Sequence, residues 1–279
     1  MFFRKKEKEI TKDKKSIPTP LPDDESGLIE FIDTIKKTSG VDLRPKQEVI
    51  KERLGNFAQV HHISSFKALN DKILSDHLLR QETLNLITVN ETYFYRELLQ
   101  LEGAIGFAKT LQKNIRILSA PCSSGEEVYS IGMLAYEMGL NLNQIKIYGI
   151  DINSDAIEKS LQGLYSSRSL HRLNDNLKSK FFDVVGNDFK IKKRLLPECE
   201  FRQMNIFDEN FLNLGTFDIV FSRNMMIYFD ATYRLKTIQR FHKILNTHGR
   251  LYVGHADLIP NTDLFNKNMA DRIIYYQKL

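Results

Sequence analysis

The sequence predicts an α/β protein with a doubly wound, mostly parallel sheet, preceded by a smaller all-helical region. Three observations carry that expectation. From residue 115 onward, short apolar strands alternate with helical segments, the pattern of a parallel sheet covered on both faces. Between residues 26 and 88, apolar residues recur at three- and four-residue steps, which is the helical period. At 279 residues the chain is also longer than one domain of ordinary size, so a large domain with a smaller companion is expected.

In the helical region, Leu28, Phe31, Ile32 and Ile35 form a first stripe. Val49, Ile50, Leu54 and Phe57 form a second behind Pro45, whose fixed φ suits a first helical turn. Phe66, Leu69 and Ile73 form a third after Ser64 and Ser65, residues suited to an N-cap. A strand is then expected at 115–120, and Ser123, Ser124 and Gly125 turn the chain. Val128, Ile131, Leu134, Ala135 and Met138 share the next helical face, which Gly139 ends. A strand at 145–150 leads to a helix with Ile157 and Leu161 turned inward. After a strand at 217–221, Asp230 caps a helix carrying Leu235, Ile238, Phe241 and Leu245, which Gly249 is expected to end. Strands at 251–253 and 273–276 complete the sheet. Strand formers on both sides of Gly186 and Asn187 read as a hairpin, so a small antiparallel subdomain is expected as an insert at about 177–204. The expected division is a disordered basic tail at 1–25, a helical domain at 26–88 and the α/β domain at 89–279.

Composition narrows the function. With 42% hydrophobic and 27% charged residues, the chain reads as globular. No stretch approaches the roughly 18 apolar residues of a membrane span, and the first residues lack the apolar core of a signal peptide, so direct membrane insertion is not expected. Cys122 and Cys199 make no disulfide framework and no metal-ligand spacing, so a reducing cytoplasm and no metal are expected. Residues 1–15 carry seven basic and three acidic side chains, leaving +1 of the net +5 for the rest. A nearly neutral folded body argues against nucleic acid as a partner.

In open α/β sheets, ligands bind beyond the carboxyl ends of the strands where strand order reverses. There the sequence reads LSAPCSSGEEVYS, in which Gly125 allows close approach of backbone to a ligand but no GxGxxG cradle for a diphosphate is present. The next strand ends at Asp151, placed to accept hydrogen bonds from ribose hydroxyls or to cap the following helix. Ribose without diphosphate points to S-adenosylmethionine. In FRQMNIFD, Asn205 is placed to read an adenine edge or to stabilise a turn. Two further segments stand out: LITVNETYFYRE gathers Asn90, Thr92, Arg96 and Glu97 around aromatic residues, and FDIVFSRNMMIYFD sets Ser222, Arg223 and Asn224 at a strand end before Tyr228.

These segments resemble the chemotaxis receptor methyltransferases of the CheR family. NETYFYRE is similar to that family's NETxFFRE, SSGEEVYS to STGEEPYS, GIDINSDAIEKSLQGLY to DIDxxxLxxAxxGxY, FSRNMMIYFD to FCRNVMIYFD, and VGHADLI to AGHSExL. The matches run from about residue 30 to the C-terminus in the same order. The resemblance implies a class I methyltransferase fold with an N-terminal helical domain and an inserted β-subdomain. It implies S-adenosylmethionine contacts from Asn90, Thr92, Arg96, Glu127, Asp151, Asn205, Ile206, Arg223 and Asn224, with Ser222 beside them, and S-adenosylhomocysteine as product. Glu127 and Asp151 would hold the amino and ribose groups.

The implied acceptors are glutamate side chains on the cytoplasmic helical domain of methyl-accepting chemotaxis receptors, methylated to esters for sensory adaptation by a monomeric enzyme. Arg96 would orient anionic groups and Tyr228 would position the acceptor carboxylate. The sequence departs from the pattern at Pro121, Cys122, Val128, Tyr95 and Ala256. Arg44, Lys46, Lys51 and Arg53 form a basic cluster suited to steering acidic receptor helices. The competing expectations are a protein that binds S-adenosylmethionine without turnover and a methyltransferase with another acceptor.

Overall fold

The computed structural model describes residues 24–279, so most of the expected basic tail lies outside the described residues. Four helices open the fold: α1 (Glu25–Ser39), α2 (Gln47–Val60), α3 (Phe66–Ser75) and α4 (His77–Ile87). Their ends follow local chemistry. Asp24, Ser65 and Asp76 each cap a helix by accepting from a backbone N–H of its first turn, and Gly40 closes α1 in the left-handed conformation. Pro45 sits in the short 3-10 turn that leads into α2. Leu28, Phe31, Ile32, Ile35, Ile50, Leu54, Leu69 and Ile73 form the core of this helical body, whereas Val49 stands outside it and lines the cavity described below.

The rest of the chain runs α5 (Leu98–Thr110), β1 (Ile115–Ser119), α6 (Glu126–Glu137), β2 (Ile145–Asp151), α7 (Ser154–Gln162), β3 (Leu164–Ser166), α8 (Asp175–Phe181), β4 (Phe182–Val185) and β5 (Asp188–Ile191). It continues with β6 (Glu198–Gln203), β7 (Phe217–Ser222), α9 (Ala231–Ile244), β8 (Leu245–Val253), β9 (Phe265–Ala270) and β10 (Ile273–Lys278). The main sheet has seven strands in the order β6-β2-β1-β7-β8-β10-β9. Its first five strands run parallel, and β10 and β9 add antiparallel at one edge. Ile117 in β1 lies opposite both Ile147 and Ile219, so the central strand is apolar on its two neighbours and buried between helical layers. The chain moves outward from β1 to β2 and then returns to its other side with β7, so strand order reverses at β1, where a ligand crevice is expected.

Three expectations are corrected. The small antiparallel sheet, β3-β5-β4, does contain the Gly186–Asn187 hairpin, but its third strand is Leu164–Ser166, and Glu198–Gln203 belongs instead to the main sheet beside β2. Three residues are too short a run to show a period, and Cys199 and Phe201 pack on the large core beyond Pro197. Gly249 does not end a helix. It lies inside β8 at a bulge between Phe217 and Ile219, where a Cβ would sit 2.8 Å from the Asn246 carbonyl oxygen. Leu161 and Leu235, expected to face inward, are exposed.

Candidate active site

The chain beyond β1 folds back across the sheet mouth, with the Ala120 N–H bonded to the Phe221 carbonyl (2.9 Å) and the Cys122 N–H to the Ile150 carbonyl (2.8 Å). Gly125 then turns at φ 92°, with Ser160 so close that a Cβ would meet its side chain at 2.7 Å. The turn opens a cavity of ≈ 350 Å³ beyond the carboxyl ends of β1, β2 and β7. That volume falls within the roughly 300–1,000 Å³ of small-molecule sites.

Its inner end is acidic. Asp151 is buried at the tip of β2, and its carboxylate accepts from the backbone N–H of Ser123 (2.8 Å) and of Asn153 (2.9 Å). Burial pushes its carboxyl up to about 6, against the stabilising backbone N–H groups of Asn153, Ser123 and Ile152. A carboxylate has about four acceptor sites, so capacity remains for a ligand hydroxyl. Glu127, in the first turn of α6, accepts from the Ser119 hydroxyl (2.8 Å) and from Arg223 Nη1 (2.7 Å). Ser123 adds a buried hydroxyl that lines the cavity with no protein partner.

Arg223 joins three segments. Besides Glu127, its guanidinium donates to the Arg96 carbonyl (2.6 Å) and stands 3.3 Å from the Glu97 carboxylate, with its side chain only 2% exposed. One guanidinium thus pairs with two carboxylates in a largely dry setting, hydrogen-bonded to Glu127 and ion-paired with Glu97, which restrains the geometry of all three. Arg223 therefore braces Glu127 rather than offering itself freely to a ligand.

The outer end is basic and aromatic. Arg96 donates to the Glu91 carbonyl (2.6 Å) and lies over the Tyr93 ring. Tyr228 is half-buried at the end of a short 3-10 turn, and burial raises its hydroxyl above the usual phenol range. The helical domain supplies the roof: Val41 pairs with Phe229 as an antiparallel bridge, the Asp42 N–H bonds the Tyr228 carbonyl (2.9 Å), and Lys46 stands 5.4 Å from the centre of the Tyr228 ring. Lys46 and Arg53 line the cavity. Arg44 is instead committed to Asp33 and Asp42.

Of the residues expected from sequence, Asn90, Thr92, Arg96, Glu127, Asp151, Asn205, Ile206, Arg223, Asn224 and Tyr228 all line this cavity. Ser222 does not; strand alternation turns it inward, where it is fully buried. The side chain of Asn205 donates to the Thr38 carbonyl (2.7 Å) and accepts from the Phe207 N–H (2.9 Å), so it shapes the turn and holds the helical domain, with one N–H and one oxygen lone pair left over at the cavity wall. Glu97 stood out in sequence only as part of its segment, with no role assigned, and the roof residues Val41 and Asp42 carried no signal of their own, because these roles depend on partners more than 100 residues away: Arg223 for Glu97, and Tyr228 and Phe229 for the roof.

The cavity fits S-adenosylmethionine: acceptors at Asp151 and Glu127 match ribose hydroxyls and an ammonium group, and Cys122, Ile152, Met204 and Ile206 supply apolar lining for a heterocycle. Comparison with known proteins points the same way. Residues 90–274 match the family model described as "CheR methyltransferase, SAM binding domain", and residues 26–88 match "CheR methyltransferase, all-alpha domain". A chemotaxis protein methyltransferase of Campylobacter jejuni is 47% identical over 253 residues, covering 90% of this chain and 96% of the relative. The protein of the same name from Borreliella burgdorferi is 29% identical over 259 residues, covering 87% of this chain and 90% of its own length.

Proposed function

The chain belongs to the CheR methyltransferase family, binds S-adenosylmethionine and methylates chemoreceptors, and from that premise we propose that the acceptor groups are glutamate carboxylates, converted to methyl esters. One observation carries the reading. The cavity has an acidic end at Asp151 and Glu127 and a cationic, aromatic end at Arg96, Lys46, Arg53 and Tyr228, and no histidine is among its described lining residues.

Bound S-adenosylmethionine supplies an electrophilic methyl group on a sulfonium. A glutamate acceptor, with an ordinary pKa near 4.3, is already anionic at neutral pH and requires no general base. The protein's task is therefore to hold and to dry. The Arg96 guanidinium attracts the carboxylate, Tyr228 donates a hydrogen bond that aims one oxygen, and the roof from the helical domain excludes water from the space between. Asp151 and Glu127 grip the sugar and the amino group, braced by the backbone N–H groups and by Arg223. Asn90, Thr92, Ile206 and Asn224 complete the proposed cofactor contacts.

We place the acceptors on the cytoplasmic helical part of the receptors and the enzyme, as a monomer, in the cytoplasm. Among the described residues no helix is long and apolar enough to cross a membrane, in keeping with that placement. The test supplies methyl-labelled donor with receptor-bearing membranes. Label on the receptor band that mild alkali releases as methanol marks a carboxyl ester; alkali-stable label would overturn the glutamate assignment.

A further inference from the structure

The segment that carries Asn224 and Tyr228 is held from outside the cavity. After β7, the chain leaves the sheet through a short loop that leads into the 3-10 turn Met226–Tyr228, with Asn224 in the left-handed region at φ 58°. Three backbone N–H groups converge there on one side chain. Asp257, 8% exposed just past the end of β8, accepts from the N–H of Asn224 (2.5 Å), of Gly254 (3.0 Å) and of Ile227 (3.2 Å). The Asp257 N–H in turn bonds the Gly254 carbonyl (3.0 Å), closing a tight turn. Gly254 is held close as well: a Cβ there would lie 2.8 Å from the Asn224 nitrogen and 2.8 Å from the Asp257 carboxylate.

We propose that Asp257 is a positioning residue for methyl transfer, its carboxylate gathering the N–H groups of Asn224, Ile227 and Gly254 and so fixing the turn that presents Tyr228 to the acceptor. The inference rests on the reading of Tyr228 as the group that aims the acceptor carboxylate. Asp257 touches neither donor nor acceptor. It lies outside the cavity lining, and its effect passes through Ile227, whose N–H it holds one residue before Tyr228. A carboxylate suits this place because it is acceptor-only, and its negative charge strengthens each of the three bonds. An amide would turn its NH2 toward at least one of the three donors and leave that donor unpaired. Burial raises the Asp257 carboxyl above the usual range, yet it keeps three donors pointed at it.

The test is a double-mutant cycle read as kcat at saturating donor and receptor, on the full chain. Asp257→Asn is expected to lower kcat by up to about 10-fold, no more than loss of the Tyr228 hydroxyl that it positions. Asp257→Glu, which keeps the charge, is expected to restore most of it. In the Tyr228→Phe background the same Asp257→Asn change is expected to cost about twofold or less, because the group it positions is gone. Equal loss in both backgrounds, or wild-type kcat for Asp257→Asn, overturns the proposal while leaving the Tyr228 reading intact. Wild-type kcat for Tyr228→Phe overturns the Tyr228 reading, and the positioning role with it. Should circular dichroism show Asp257→Asn unfolded, Gly254→Ala displaces the same clip without changing charge and carries the same expectations.

Discussion

The two ends of the cavity are built by opposite means. The donor end stands on the tips of β1 and β2 and the first turn of α6, and its charges are acidic, largely enclosed and held in place by backbone N–H groups and Arg223. The acceptor end is assembled from a loop after α4, a loop after β7 and the helical domain, with cations near water and a tyrosine held by its backbone. The lesson is a division of labour. On the proposed reading, a cofactor of fixed shape meets sheet ends, and a macromolecular acceptor meets loop segments joined to a second domain.

The comparison is most easily broken at the brace. Arg223→Met would strand Glu127 and Glu97 as buried charges without their cation, and breaking such a pair costs about 3–5 kcal/mol. Calorimetry is expected to show Tm lowered by roughly 6–20 °C at neutral pH, because each kcal/mol is worth about 2–4 °C at this size. A Tm within 2 °C of wild type, on the same scale of a few degrees per kcal/mol, would mean that the cluster is not braced by Arg223.

At the acceptor end the expected effect is on chemistry alone. Tyr228→Phe should reduce kcat roughly 10-fold, as for one hydrogen bond made in the transition state, and leave the affinity for S-adenosylhomocysteine unchanged by titration calorimetry. Weakened cofactor binding with normal turnover would assign Tyr228 to the donor end.

The donor end should instead respond to pH. Because burial raises the Asp151 carboxyl from the usual range to about 6, the folded state holds a proton there that the unfolded chain has released. Its contribution to stability is therefore present at low pH and lost as pH rises through about 6. Cofactor affinity should run the other way, since ribose hydroxyls require the ionised acceptor. Affinity for S-adenosylhomocysteine is expected to weaken as pH falls through about 6, and Asp151→Asn to bind more weakly and without that limb. A wild-type affinity flat between pH 7 and 5 would remove Asp151 from the ribose site.

The smallest effect belongs to the roof. Charge reversal at Lys46 together with Arg53 is expected to raise the receptor KM severalfold in low salt and to flatten its salt dependence, since exposed charges are screened beyond about 10 Å at 0.1 M. Unchanged salt dependence would mark them as an ordinary solvated face.

Much of this was legible beforehand because it is local. Strand alternation, the caps at Ser65 and Asp230, and the strand-end Asp151 each depend on a few neighbouring residues. What escaped depends on distant partners. The three-residue β3 means nothing until Phe189 lies opposite Tyr165, and Glu198–Gln203 reads as part of a hairpin until Lys146 and Tyr148 pair with it. Ser222 was placed at the site by its strand-end position, but alternation within β7 buries it. Asn205 was ambiguous in sequence, and its bond to the Thr38 carbonyl, from the other domain, could not be read there.

The antiparallel bridge between Val41 and Phe229 ties the helical domain to the segment that carries Tyr228. If the proposed acceptor role of Tyr228 holds, a receptor helix that seats badly on the helical domain would tug, through residues 41 and 42, on the backbone that carries its hydroxyl. Docking and aiming would then be a single event, and a stray carboxylate entering the cavity without its proper helix would meet a tyrosine out of alignment.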